Sequence, residues 1–503
     1  MNTFTHFIAA DLVKVYNGAD KKTAVLITVL AWGDEVELID TSGNTIKIGL
    51  RNFKNLADGS ILPVRSEGFI IKPAKIKQEQ ILLPLEQKNV LRVSFVDVGQ
   101  GDASVIETPK GKVMLIDGGE NQLFARYLAA RYAGSSAKNP KVIDCVVISH
   151  GDADHFEGLP KILESETNSN PKKRLFIKPS VVFHNGMVKR PSSKKEKDML
   201  GPTVEWNKQL YVTGLVNRFD EVAEEERNRG FKAWAKTLST YEKRYNYQML
   251  QKRLSHTSKG DFNFLGEGLS VNILGPVEET VNGMPALKFL RTPSASVIKK
   301  AAVKETAPSG SYSASHTING QSVILKLQYG HVSFLFAGDL NEEAEDYLVA
   351  NKRSKPLKAD IFKVPHHGSA DFSDAFLKAV NPFVSIVSSG DENAAKEYIH
   401  PRANLVGALG KHSRIDRPLI FVTEMVAFLK TEGWAKLVKP TASQPKGTFF
   451  AFSKTAYGIV HVCTDGRRIL VYTHSGQKDL KEAYAYTVEK TNDKPQRTEV
   501  VII

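Results

Sequence analysis

Cysteine is nearly absent. Cys145 and Cys463 are the two in 503 residues, which rules out a disulfide framework and is compatible with a reducing compartment. Long apolar runs are missing too: the longest, near Ala24 to Trp32, falls short of the roughly 18 residues that a membrane-spanning helix needs, so no membrane contact is expected. The opening residues, Met1-Asn2-Thr3-Phe4-Thr5-His6, lack the basic start and apolar core of a secretory signal, and a cytoplasmic location is the expectation. Acidic residues are outnumbered, 55 against 68 Lys and Arg, leaving a formal charge of +13. That imbalance favours a polyanionic partner such as nucleic acid, although net charge says nothing about clustering. No internal repeat is visible, and the length suggests about three domains.

What the chain does have is a dense cluster of ligand-type side chains. Ser149-His150-Gly151-Asp152-Ala153-Asp154-His155 places four metal-capable residues within six consecutive positions. The β-branched run Val142 to Ile148 before it reads as a buried strand, and Phe156 to Leu163 after it begins a short helix. The cluster therefore sits on a strand-to-helix loop, where His150, Asp152 and Asp154 turn one way and His155 completes the set. Imidazole nitrogens mixed with carboxylate oxygens suit zinc, manganese or iron better than calcium or magnesium. A second carboxylate, Asp339, follows Gly338 at the end of the apolar run Val332 to Ala337, and His366 and His367 follow another run, Asp360 to Val364.

Five blocks share an order along the chain: Phe95 to Ala103, Leu115 to Gly119, Phe336 to Leu340, Lys363 to Ser369, and Ile399-His400-Pro401, with the cluster among them. Together they resemble the metallo-β-lactamase superfamily, and within it the branch containing the hydrolase domain of bacterial competence (DNA-uptake) channel proteins and the phosphorylcholine esterases. The usual pattern is His-x-His-x-Asp-His; here Asp152 stands in place of the second His. The resemblance covers residues 91 to 415 and implies an α/β fold, an αββα sandwich.

The resemblance also implies a site with two divalent metal ions, zinc or manganese. His150 and Asp152 would hold one, Asp154 and His155 the other, with Asp339 bridging. Adjacent side chains at a strand end point in different directions, so the residues alone do not order His366 and His367. The working assignment puts His366 on metal and leaves His367 to protonate the leaving oxygen or touch the phosphate. Asp117 would accept hydrogen bonds from ligand histidines and set their tautomer, or merely cap a turn. Ser369, Gln100 and His400 are candidate substrate contacts, while Gln100 and Asp102 fit a bracing role equally well. The further His that many members place before the bridging Asp is missing, since His256, His316 and His331 lie in no recognisable motif. One metal should then have an oxygen-rich, more open shell, which shifts the expectation toward manganese.

Three domains are expected: an SH3-like β domain at 1–78, the hydrolase domain at 89–415 with an insertion at about 186–265, and a β-rich extension at 416–503. Gly33 to Asp40 and Thr45 to Leu50 flank the turn-forming Ser42-Gly43-Asn44 as a hairpin. Lys72 to Lys88 then joins this unit to the first hydrolase strand. Within the insertion, Lys189 to Lys197 is a basic loop, and 204–253 reads as helical, with Trp206, Trp234, Tyr241, Tyr245 and Tyr247 set among Lys and Arg. That pattern fits a grip on phosphates and bases, or a helical hairpin whose aromatics pack inward. Ser294 to Ser315 reads as a polar loop. The C-terminal hairpin, Tyr457 to Cys463 with Arg468 to Tyr472, either extends the hydrolase sheet or forms its own module.

The leading expectation is a metal-dependent phosphodiesterase, a nuclease acting on DNA or RNA through water activated by two metals. Two alternatives stand beside it. One is a phosphoesterase for a small substrate such as a nucleotide, cyclic nucleotide or phosphocholine-like ester. The other is a non-catalytic adaptor that recruits a protein partner through the SH3-like end.

Overall fold

Strands that are apolar on both faces need cover on both faces, and here two sheets cover each other. The computed structural model describes residues 4–55, 61–293, 310–350, 355–390, 400–423, 435–438, 449–452, 458–474, 482–489 and 492–503. The larger sheet runs, in spatial order, Leu250–Arg253, Val181–His184, Cys145–Val147, Val113–Asp117, Ala103–Glu107, Leu91–Val96, Ile459–Thr464, Arg468–His474, Ala483–Glu489 and Asn492–Thr498. The smaller runs Leu269–Gly275, Ile324–Tyr329, Val332–Phe336, Ile361–Lys363, Val384–Val387 and Leu419–Val422. Phe95, Ile116, Val147 and Phe183 from one sheet meet Leu325, Phe334, Phe336 and Ile386 from the other in a shared core. Phe95 and Phe336 stack across it at 5.8 Å between ring centroids.

Helices close both outer faces. Leu123–Arg131, Pro160–Ser165 and Arg229–Tyr245 cover the larger sheet through Phe124, Leu128, Ile162, Trp234 and Leu238. Glu342–Ala350, Asp374–Val380 and Ala403–Lys411 cover the smaller through Leu348, Phe376 and Leu405. The result is the αββα layering that the motifs implied. Val113–Asp117 and Cys145–Val147 run parallel, as do Val332–Phe336 and Ile361–Lys363. Their carboxyl ends therefore release Asp117, His150, Asp339 and His367 at one edge of the sandwich, the crevice where α/β sheets place their sites.

Three expectations about organisation are corrected. First, a division at 416 cuts both sheets: Leu419–Val422 pairs with Val384–Val387, and Ile459–Thr464 pairs residue for residue with Leu91–Val96. The C-terminal hairpin thus extends the hydrolase sheet, and Val462, Val471 and Tyr486 sit in the inter-sheet core. Second, the N-terminal unit runs past 78, because the joining segment supplies strand Leu82–Pro84 to a seven-stranded sheet by pairing with His6–Ile8. That unit is clamped to the C-terminal strands through Phe7, Trp32, Leu470 and Tyr472, an Arg468 to Asp11 ion pair, and a hydrogen bond from Ile503 N to Leu12 O at 2.9 Å.

Third, 204–253 is not helical throughout. Thr203–Trp206 and Gln209–Val212 form a hairpin, and the helix is confined to Arg229–Tyr245. Asn207 and Lys208 both take positive φ, the conformation of a tight two-residue hairpin turn. Trp234 and Tyr241 are buried against the larger sheet, so these aromatics pack inward. Of the polar stretch Ser294 to Ser315, residues 294–309 lie outside the described residues, and Ala314–Gly320 is a helix. Tyr457 lies outside them as well. Among the described residues no helix is long and apolar enough to cross a membrane.

Candidate metal centre

Asp117 closes its strand with φ at +58°, a left-handed turn that aims the carboxylate sideways onto the neighbouring loop. Its Oδ1 accepts from Ser149 N at 2.7 Å, and its Oδ2 accepts from Ser149 Oγ at 2.6 Å and from His155 Nδ1 at 3.0 Å. A single helical turn, Ala153–Phe156, then carries Asp154 and His155. Asp339 follows Gly338, and its amide donates to Ser322 Oγ at 3.2 Å. His366 and His367 lie in a short turn at φ of +49° and +52°.

Three imidazoles converge with their Nδ1 atoms already engaged. His155 Nδ1 donates to Asp117, and His367 Nδ1 donates to the Ser388 carbonyl at 3.0 Å. His150 Nδ1 faces the hydroxyls of Ser149 and Ser322 at 3.1 and 3.3 Å. With the proton held on Nδ1, each ring turns the lone pair of Nε2 inward. His155 Nε2 lies 3.1 Å from Asp339 Oδ1, and His367 Nε2 lies 3.2 Å from both Asp339 Oδ2 and Asp154 Oδ2. The two Nε2 atoms are 3.4 Å apart. Lone pairs facing lone pairs and carboxylates repel unless positive charge sits among them.

Titration behaviour follows from the same arrangement. Burial pushes His155 and His367 down, but Asp339 in both cases, with Asp117 for His155 and Asp102 and Asp154 for His367, carries each well above the ordinary histidine range. Burial pushes Asp339 and Asp154 up; His155 and His367 reverse this and bring both below the usual carboxylate range. His150 differs. Burial, then the neighbouring His155, lowers it to about 4. A proton is therefore a poor partner for His150 Nε2, which is buried without a hydrogen-bond partner. A divalent cation satisfies the Nε2 atoms of His155 and His367 together with both carboxylates, with His150 beside them, and the donor set fits one. Ligand atoms of His150, His155 and Asp339, and of Asp154, His155 and His367, lie within 4.8 Å of one another.

The structure thus brings together His150, Asp154, His155, Asp339 and His367, with Asp117 behind them. It does not bring in Asp152, whose Oδ1 is 2.6 Å from Lys189 Nζ, nor His366, whose ring sits 6.3 Å from that of His400 and 6.4 Å from that of His367. On geometry the working assignment of the two neighbours is therefore exchanged: His367 faces the cluster and His366 stands outside it. The reason is the turn, whose left-handed residues carry the second side chain inward.

His400 is half-buried beside His366; burial, then His366, lowers it to about 3. Ser369 Oγ accepts from Asp371 N at 3.2 Å, a turn contact, and Gln100 is half-buried between Gly99 and Gly101. His184 is spent on the backbone, with Nε2 on Asn217 O at 2.8 Å and Nδ1 accepting from Gly186 N at 3.0 Å.

Two residues were missed in the sequence. Lys363 is buried and ion-paired with Asp102, whose Oδ1 is 3.3 Å from His367 Nδ1. Asp102, pushed up by burial and down by Lys363, ends below its ordinary value and braces the floor of the site. The signal for this was a lysine inside the apolar run Ile361-Phe362-Lys363-Val364. Lys189 is the other.

Two packed sheets, helices outside them, and imidazoles with carboxylates at the strands' carboxyl ends make up the metallo-β-lactamase fold. Residues 96–172 match the family model of the metallo-beta-lactamase superfamily, and the resemblance read from the motifs stands. The chain is similar to ComE operon protein 3 of Bacillus subtilis (strain 168), 32% identical over 96 residues, 19% of this chain and 12% of that protein. It is similar to competence protein ComA of Neisseria gonorrhoeae, 37% identical over 93 residues, 18% of this chain and 13% of that protein. The chain thus spans about an eighth of the length of these relatives. Among solved structures it matches a Thermotoga maritima protein assigned to the Zn-dependent hydrolases of the same superfamily. That match has 10% identity and a TM-score of 0.25, over 66% of this chain and 97% of the other.

Proposed function

We propose that this protein is a metal-dependent phosphodiesterase acting on nucleic acid. The observation that carries the reading is the convergence of the buried His155 and His367 Nε2 atoms on Asp154 and Asp339, with His150 grouped beside them. Asp154, His155, His367 and Asp339 would hold a divalent ion, with His150 beside them. Such an ion activates water and neutralises the charge that develops on phosphate oxygens. Asp117 fixes the His155 ring, Asp102 and the Ser388 carbonyl fix the His367 ring, and the pocket keeps both from turning. The excess of Lys and Arg, and the basic segment from Lys189 to Lys197, favour a polyanionic substrate. The likeness to a protein named for competence, ComA of Neisseria gonorrhoeae, agrees with that choice.

The test uses the purified full chain with manganese or zinc, on single- and double-stranded DNA and on RNA. Cleavage is expected, and Asp339→Ala and His367→Ala should reduce it to background. No cleavage across strand types and metals sinks the reading. A small phosphoester is the second reading, favoured by one observation: Trp234 and Tyr241 are buried and offer no face for stacking bases. Salt separates the two. Cleavage of a polyanion weakens steeply with ionic strength because counterions are released on binding, whereas turnover of a small ester changes little.

A further inference from the structure

Lys189 enters the site from the insertion, thirty-seven positions beyond Asp152, and places its ammonium 2.6 Å from Asp152 Oδ1. Asp152 stands where the superfamily pattern has the second histidine of one metal shell. Asp152 belongs to none of the metal-capable groups among the described residues, and neither do His256, His316 and His331. What is left of that shell is His150, grouped with His155 and Asp339 within 4.8 Å, and those two are shared with the other shell. The other shell is complete: Asp154, His155, His367 and Asp339 surround one space, with contacts of 3.1 to 3.4 Å among them.

Charge points the same way. Two carboxylates near the imidazoles already have ammonium partners, Asp102 with Lys363 and Asp152 with Lys189. Asp117 directs its charge to Ser149 and His155 Nδ1, behind the rings. Asp154 and Asp339 remain facing the Nε2 atoms, and their summed charge matches one divalent ion. A second dication on Asp152 would have to expel Lys189 or sit against it.

We propose that the centre holds a single divalent ion, on Asp154, His155, His367 and Asp339, and that the Lys189 ammonium on Asp152 replaces the second. The proposal rests on the metal-dependent reading above and narrows it. Lys189 is the charge that takes the side of the site where a second ion would otherwise sit on Asp152. Its side chain keeps 29% of its surface exposed, so the charge is not sealed in the core.

The experiment titrates chelator-stripped full chain with Mn2+ and reads bound ion by equilibrium dialysis and by electron paramagnetic resonance. Wild type should take up one ion per chain with an uncoupled signal. Lys189→Met, which frees Asp152, should take up a second with a spin-coupled signal, and Lys189→Arg should stay at one. Asp152→Asn should keep the single ion with affinity within about threefold of wild type. Two ions in wild type, no second ion in Lys189→Met, or loss of the single ion in Asp152→Asn would each overturn the proposal. A different result strikes the broader reading instead: no uptake by wild type, or uptake unchanged in Asp339→Ala and His367→Ala.

Discussion

His155 and His367 face each other through their Nε2 atoms at 3.4 Å, although both rings are buried and both Nδ1 atoms are already engaged. Such a pair is stable only with positive charge between the rings and Asp339, supplied by protons or by a metal ion. Which of the two sits there decides how the protein responds to pH.

Ion uptake should release protons. Without an ion, His155 and His367 hold protons well above the ordinary histidine range, while His150, lowered to about 4, does not. A divalent ion must displace the first two and not the third, so on the order of two protons per ion should leave near neutral pH. The sign follows: affinity falls as pH falls, because protons compete for the same Nε2 atoms. Calorimetry in buffers of different ionisation enthalpy measures the number, and release near zero would refute it.

Asp117 should matter without touching the ion. It accepts from His155 Nδ1 and from the Ser149 amide and hydroxyl, which fixes the ring whose Nε2 faces Asp339. Asp117→Asn keeps the shape and removes the charge that makes His155 a stronger donor. Metal affinity should drop by about 10–100-fold, read by competition with a chelator. Affinity equal to wild type would reduce Asp117 to a turn cap.

Much of this centre was legible in the chain because it is local. His150, Asp154 and His155 sit within six residues, and Asp339 follows an apolar run whose end is easy to place. The order of His366 and His367 was not, since it depends on a left-handed turn that both residues adopt and that no glycine announces at their own positions. Lys189 was invisible for a different reason: its partner is set by how the insertion folds back, a tertiary contact with no periodic trace. The hairpin at Thr203–Trp206 and Gln209–Val212 was misread as helix because its turn is Asn207-Lys208, which lacks the glycine that usually marks such a turn. The ten-stranded sheet escaped a linear reading because its sixth and seventh strands, Leu91–Val96 and Ile459–Thr464, lie at opposite ends of the sequence.

Acid should strip one ion pair from the larger sheet. Burial would raise the Glu107 carboxyl, but Arg131 and then Arg92 outweigh it and bring it down to about 2. Arg131 Nη2 lies 2.8 Å away, and the Tyr132 hydroxyl donates to Glu107 at 3.0 Å. A depressed carboxylate adds stability above its unfolded value of about 4.5, and that stability is lost as pH falls through about 2. Arg131 is about one-third exposed, so solvent screening limits the contribution to about 1–2 kcal/mol. Glu107→Gln should lose that amount near pH 7 and flatten the acid limb of a urea-denaturation series between about pH 4.5 and 2. An unchanged acid limb would show that the pair adds nothing.

Gly101 should be irreplaceable for a reason that reaches the ion. Its φ is +116°, a conformation that side-chain-bearing residues rarely adopt, and a Cβ there would overlap the backbone carbonyl of Asp154. That carbonyl also accepts from Asp102 N at 3.1 Å, so the loop bearing Asp102 and the turn bearing Asp154 are locked together at this point. Gly101→Ala must push the two apart, and the displacement falls on a carboxylate that faces His367 at 3.2 Å. A cost of about 2–4 kcal/mol in stability is expected from the strained backbone and the clash together. Metal affinity should fall with it, whereas Gly111→Ala, at a surface turn of similar φ (+80°) with nothing nearby, should cost about 1–2 kcal/mol and leave affinity alone. Thermal melts and Mn2+ titration of the two variants side by side separate backbone strain, which both share, from displacement of Asp154, which belongs to Gly101 alone. Equal metal affinity in the two would mean that the Asp154 turn is held by something other than this contact.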